Sequence, residues 1–175
     1  YGQFLWNPIQ FDDRDFFLMD GAGNMPVSVF HFSPFELRSL PYATLAWTKT
    51  CFGLDLIYFR VGNLLLHASV VLASFFFLKA LFLAVYGECG KEGLNPRLAA
   101  FFAALLFALH HVATYAAGYL VQRSIVMATL FSLLALLSYL HGSVRQKPLW
   151  LWMSVPLYYL AVFSNYDRTC NKRVS

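Results

Sequence analysis

The chain has 175 residues, of which 59% are hydrophobic and only 13% charged, and its mean hydropathy is +0.55. That is more apolar side chain than the core of one small soluble domain can hide from water. The formal net charge is +4, but the 13 lysines and arginines are scattered along the chain, which argues against a nucleic-acid-binding protein because that class needs a clustered basic face.

Residues 1–60 form the most polar part of the sequence. They hold six of the nine acidic residues and turn signals such as Asn7-Pro8. We therefore predict an extramembrane loop. Within it, residues 41–52 combine aromatic, β-branched and polar side chains, which favours a short interfacial helix lying on the bilayer. An ordinary amphipathic helix packed in a core is the alternative.

Residues 61–86 are apolar enough to cross a membrane as one helix. Three polar residues within this run, Asn63, His67 and Ser74, recur at near-helical spacing and so share one face. Because unpaired polar groups are costly in hydrocarbon, we expect this stripe to face other helices. A polar loop follows at 87–97.

Three further apolar runs cover residues 98–109, 125–140 and 149–163. With the first run they predict about four helices within residues 61–164, followed by a polar tail at 165–175. The fold class predicted is therefore all-α: a polytopic transmembrane helical bundle with an extramembrane first loop that contains short interfacial helices.

Basic residues give the expected orientation. The loops at 87–97 and 141–148 each carry two of them, whereas the turn between carries only Arg123. By the positive-inside rule these loops are cytoplasmic, so residues 1–60 and Arg123 share the opposite side. The basic tail at 165–175 disagrees with this orientation.

The first candidate site is the sequence Phe11-Asp12-Asp13-Arg14-Asp15. Adjacent carboxylates repel each other, so one can hold a raised pKa and act as a base while the other orients a cation or hydroxyl. A solvated turn or a helix cap is the plainer interpretation of such a cluster.

The second candidate site is Arg123, with Gln122 beside it and the His110-His111 pair nearby in sequence. A guanidinium at a membrane boundary is either a headgroup anchor or a binding group for a lipid-borne phosphate, which its planar fork of donors suits. A paired-histidine metal site is less favoured because no third ligand has suitable spacing.

The sequence contains no motif typical of nucleotide-binding, hydrolase or metalloprotease chemistry. The sequence has no phosphate-binding loop, no Gly-x-Ser-x-Gly elbow and no His-Glu-x-x-His motif. Cys51, Cys89 and Cys170 are far apart and show no metal-ligand spacing, so they indicate neither a redox compartment nor a metal.

Six short motifs follow one another along the chain: Phe11–Asp15, Arg38-Ser39-Leu40, Cys51–Leu54, Asn63–His67, Leu106–His110 and Tyr119–Arg123. Taken in this order, they resemble the N-terminal membrane part of GT-C glycosyltransferases, over roughly residues 5–163. The branch most similar is that of protein O-mannosyltransferase-like bacterial membrane proteins with C-terminal tetratricopeptide repeats.

The resemblance implies an inverting transfer of a sugar from a polyprenyl-phosphate carrier to an acceptor protein or glycan on the non-cytoplasmic face. The site would then face the periplasm from a bacterial inner membrane. It implies that Asp12, or its neighbour Asp13, is the general base. Arg123 would neutralise the departing lipid phosphate, and the further phosphate-binding residues would be Gln122, His110 and Arg38. A divalent metal is compatible with this activity but not indicated.

This sequence departs from the family pattern in places. Arg38-Ser39-Leu40 stands where the family has Arg-Pro-Leu, and Ser164-Asn165-Tyr166-Asp167 stands where Ser-Lys-Glu is common. Because the chain begins with Tyr1 rather than Met and turns polar after Ser164, we expect a fragment, inactive as it stands, that lacks a first helix and the later helices and repeats.

The competing hypothesis is a non-enzymatic membrane protein, either a scaffold or a transporter component. Polar stripes and intramembrane histidines also fit a translocation path.

Overall fold

The computed structural model describes residues 39–53, 55–87, 95–110, 118–120 and 122–165. Within these residues the chain is all-helical and contains no strand, which confirms the all-α prediction for this part. The helices are α1 (Ser39–Phe52), α2 (Leu56–Tyr86), α3 (Pro96–Leu109), α4 (Arg123–Arg145) and α5 (Pro148–Asn165).

Two of these helices, α2 with 31 residues and α4 with 23, are long and apolar enough to cross a membrane. The other two apolar helices are shorter, and the 14 residues of α3 reach only about 21 Å, against about 30 Å of hydrocarbon. The polytopic bundle is thus supported for two spans.

Large apolar side chains cover the outside of the helices. Leu65, Leu106 and Trp152 are 64%, 73% and 75% exposed, on α2, α3 and α5 respectively. Aqueous surfaces rarely expose so many large apolar side chains, whereas lipid-facing surfaces do. The exposed residues and the two long apolar helices together support membrane association.

The start of α2 differs from the predicted boundary at residue 61. Asp55 caps the helix by accepting a hydrogen bond of 3.1 Å from the amide of Ile57, so the helix begins at Leu56. Arg60 then lies inside the first turns and is 6% exposed. The charge that suggested an extramembrane residue is instead enclosed by protein.

A small apolar core joins α1 to α2 and to the segment before α4. Its fully enclosed members are Leu45, Phe59 and Leu120, with Tyr42 and Leu56 packed around them. This core fixes the N-terminal ends of α2 and α4 at the same end of the bundle. Both helices also line one cleft near their C-terminal ends, so they run parallel.

Helices α4 and α5 form an antiparallel hairpin with a tight turn at Gln146, whose φ is 52°. The amides of Gln146 and Lys147 both donate to the carbonyl of Gly142. A Cβ at Gly142 would lie 2.8 Å from Cγ and 2.9 Å from the backbone nitrogen of Leu151. Only glycine lets the two helices approach this closely.

We expect Gly142→Ala to destabilise the folded protein by about 1–3 kcal/mol, because the added methyl group must push α5 away. Denaturant unfolding of the full-length protein in mixed micelles measures this. Ser143→Ala, at the exposed neighbouring position, is the matched control. Equal stability of the two variants would show that the hairpin tolerates separation here.

Candidate functional site

Arg123 is the first residue of α4, and only 3% of its surface is exposed. The sequence predicted a polar turn here. In the structure Gln122 is the N-cap, and its carbonyl accepts from the amides of Ile125 and Val126. The helix therefore starts at Arg123, whose side chain reaches α1 and α2.

The guanidinium of Arg123 donates hydrogen bonds through all three nitrogens. Nε donates to Oδ1 of Asn63 at 2.7 Å, and Nη2 donates to the carbonyl of Phe59 at 2.9 Å. Nη1 donates to the hydroxyls of Thr44 and Thr48, each at the longer distance of 3.4 Å. One cation thus joins α1, α2 and α4, tightly at α2 and weakly at α1.

The two threonines present lone pairs to Arg123 because their hydroxyl hydrogens are engaged elsewhere. Thr44 Oγ1 donates to the carbonyl of Pro41 at 2.6 Å, and Thr48 Oγ1 donates to the carbonyl of Thr44 at 2.8 Å. They are four residues apart and so lie on one face of α1.

Asn63 fixes the other side of the guanidinium. It is 0% exposed, and its Nδ2 donates to the carbonyl of Tyr119 at 2.9 Å while its Oδ1 accepts from Arg123. Next to it, a Cβ at Gly62 would lie 2.9 Å from Arg123 Nη2. The backbone of α2 is therefore close against the guanidinium.

The prediction that the polar stripe of α2 faces protein is confirmed for Asn63 and His67, which are 0% and 6% exposed. The His67 ring lies 6.1 Å from that of Phe107, which places α3 against the same face of α2. Ser74, farther along, is half-buried.

All the hydrogen-bond partners of Arg123 are neutral. Asp55 is the one acidic residue in the part of the chain that the structure describes, and it caps α2. Within that part, no carboxylate pairs with Arg123. A cation held away from water without an opposite charge is unfavourable by several kcal/mol. The arrangement is therefore suited to receiving an anion.

The other predicted site residues either do not hydrogen-bond to the side chain of Arg123 or lie outside the described residues. His110 is an exposed residue at the C-cap of α3 and is not among the hydrogen-bond partners of Arg123. Gln122 is half-buried at the start of α4. Asp12, Asp13 and Arg38 lie outside the described residues, as does His111.

Across the described ranges, no group of three His, Cys, Asp or Glu residues could hold a metal ion. Sequence reasoning did not single out Thr44, the Phe59 carbonyl or Gly62. The spacing of Thr44 and Thr48 on a predicted helix was the one available signal for part of this set.

Comparison with known proteins finds two relatives over part of the chain. Over 101 residues, 57% of this chain, it is 36% identical to protein O-mannosyl-transferase TMTC1 of Mus musculus. Over 87 residues, 50% of this chain, it is 37% identical to the protein of the same name in Homo sapiens. Both relatives are named as mannosyltransferases. The similarity agrees with the glycosyltransferase resemblance of the sequence motifs.

The matched segment covers 10% of the mouse protein and 9% of the human one, so this chain spans a small part of either relative. No family model matches the chain. No solved structure matches it. The bacterial branch and the tetratricopeptide repeats stay predictions.

Proposed function

We propose that this chain is part of a membrane glycosyltransferase that moves a sugar from a polyprenyl-phosphate donor to a hydroxyl group of an acceptor protein or glycan. The observation that carries the proposal is the buried Arg123, which among the described residues meets only neutral partners, at one end of an apolar helical bundle. The partial similarity to protein O-mannosyl-transferases supports the reaction class and makes mannose the first sugar to test.

In this proposal Arg123 binds the phosphate of the donor lipid. The short bonds to Asn63 and Phe59 hold the plane of the guanidinium, while the 3.4 Å bonds from Nη1 to the threonines are weak enough to be exchanged for a phosphate oxygen. When the bond from the anomeric carbon to the phosphate oxygen breaks, negative charge grows on the phosphate. A fixed cation beside it stabilises that charge.

Asp12 takes the proton from the acceptor hydroxyl as its oxygen attacks the anomeric carbon, and Asp13 orients that hydroxyl. Further donors to the carrier phosphate are Gln122, His110 and Arg38. The membrane lipid carrier and the acceptor are the partners this reaction requires.

The orientation follows from the cations at the two ends of the bundle. The 23 residues of α4 extend about 35 Å, so Arg123 and Arg145 lie near opposite membrane surfaces. Lys79, Arg97 and Arg145 line one cleft at the end away from Arg123. By the positive-inside rule we propose that this end is cytoplasmic and that Arg123 faces the periplasm of a bacterial inner membrane.

The test is transfer by the full-length protein in proteoliposomes, with radiolabelled mannose supplied either on a polyprenyl phosphate or on a soluble nucleotide. We expect labelled acceptor only with the lipid-linked donor. Transfer only from the nucleotide would refute the donor assignment. Transfer from neither donor, with a folded protein and an acceptor from the native membrane, would favour the alternative below.

The alternative is a non-enzymatic scaffold or transporter component. The observation in its favour is that Arg123 already bridges three helices, which is also what a purely structural clamp does. On this hypothesis Arg123 contributes stability and no transfer occurs.

A further inference from the structure

A second cationic site lies at the end of the bundle opposite Arg123. Lys79 of α2, Arg97 of α3 and Arg145 of α4 line a single cleft with a volume of about 460 Å³. Cations that merely extend to the membrane surface need not share a cavity. Here three helices each contribute one cation to the same space, which is large enough for a small ligand or a lipid headgroup.

The charge of this cleft is not balanced by the described residues. Asp55, their one acidic residue, begins α2, and the 24 residues from it to Lys79 correspond to about 36 Å of helix. Glu88 and Glu92 lie in the segment 88–94, outside the described residues. Three like charges around one cavity repel each other, and an anion placed between them relieves that repulsion.

Apart from the side chain of His141, the remaining wall of the cleft is apolar. It includes Phe76 and Leu83 of α2 and Leu140 of α4, and Phe76 is itself 50% exposed on the outside of the bundle. A free phosphate ion gains no favourable contact from such an apolar wall. An anionic headgroup attached to acyl chains fits both parts, because the charge meets the cations while the chains lie along the apolar side chains.

We propose that this cleft binds the phosphate headgroup of an anionic phospholipid from the surrounding bilayer. The site is separate from Arg123 and does not depend on the transfer reaction. Because three cations line the cleft, the positive-inside rule assigns it to the cytoplasmic leaflet of the membrane.

The experiment uses the full-length protein in uncharged detergent micelles without donor lipid. Phosphatidylglycerol, phosphatidylcholine or inorganic phosphate is titrated in, and bound lipid is counted by native mass spectrometry while the thermal midpoint is followed. We expect saturable binding of phosphatidylglycerol with a raised midpoint, since a ligand that binds only the folded state stabilises it. We expect no such effect from phosphatidylcholine or inorganic phosphate.

The variants are Lys79→Gln, Arg97→Gln and Arg145→Gln, singly and together. Each is expected to weaken phosphatidylglycerol binding about fivefold. Lys147→Gln removes the same charge at the same end from an exposed residue that does not line the cleft, and it should bind as the wild type does. If the triple variant does not fold, the binding measured for Arg97→Gln alone decides the test. Arg97 is exposed, so replacing it should leave the fold intact.

Three results would overturn the proposal. Equal binding of the two lipids would remove the role of charge. Equal weakening by Lys147→Gln and Arg97→Gln would show diffuse surface attraction. A midpoint shift reproduced by inorganic phosphate would make the site one for a soluble anion.

Discussion

Arg123→Lys is expected to lower the rate of sugar transfer by the full-length protein about 100- to 1,000-fold. Lysine keeps the charge, but its single ammonium group lacks the planar fork of donors. It therefore cannot hydrogen-bond to Asn63, the Phe59 carbonyl and a phosphate in the geometry that arginine allows. The measurement is initial rate per folded molecule at saturating donor, with the folded fraction taken from the thermal unfolding curve of each preparation.

Lys147→Arg is the control, because it makes the reverse Lys–Arg exchange at an exposed residue just beyond the other end of the same helix and outside the cleft. It should transfer at the wild-type rate. If Arg123→Lys lowers the unfolding temperature but leaves the rate per folded molecule unchanged, Arg123 is a clamp between helices and the donor phosphate is bound elsewhere.

The double variant Asp12→Asn, Asp13→Asn is expected to lose transfer by about 100-fold or more, since an amide cannot accept the proton of the acceptor hydroxyl. Of the single variants, Asp12→Asn should account for most of the loss. Initial rates with the lipid-linked donor, compared with donor binding measured separately, would show a lower rate with nearly unchanged donor affinity.

Asp15→Asn is the control within the same acidic sequence, and it should leave the rate unchanged. A wild-type rate in both single variants and in the double variant would remove these carboxylates from the reaction. A loss of equal size in Asp15→Asn would instead indicate that the cluster acts through its total charge.

The helical content was predictable because a long apolar run that crosses a membrane must hydrogen-bond its own backbone, which a helix does. The helix ends were harder to predict. Arg60 and Arg123 each suggested a residue outside the membrane, yet both are buried in the protein at the beginnings of α2 and α4. Hydropathy measures transfer to lipid, and it cannot show that neighbouring helices will supply hydrogen-bond acceptors for a cation.

The candidate site was predictable only in part for the same reason. Arg123 and Asn63 were singled out from their chemistry and spacing, but their pairing joins residues 60 positions apart. A helical pattern specifies which residues share a face and says nothing of which helix that face will meet. The backbone carbonyl of Phe59 has no sequence signature at all, because every residue carries one.

The length of α2 determines how deep Arg123 lies. A helix of 31 residues measures about 46 Å, close to the full thickness of a bilayer with its headgroups at about 40–45 Å. Asn63, seven residues from the first residue Leu56, is then about 10 Å below the outer edge, near the level where headgroups give way to acyl chains. At that depth the carrier lipid of the proposed reaction would offer its phosphate to the guanidinium without lifting its tail out of the membrane.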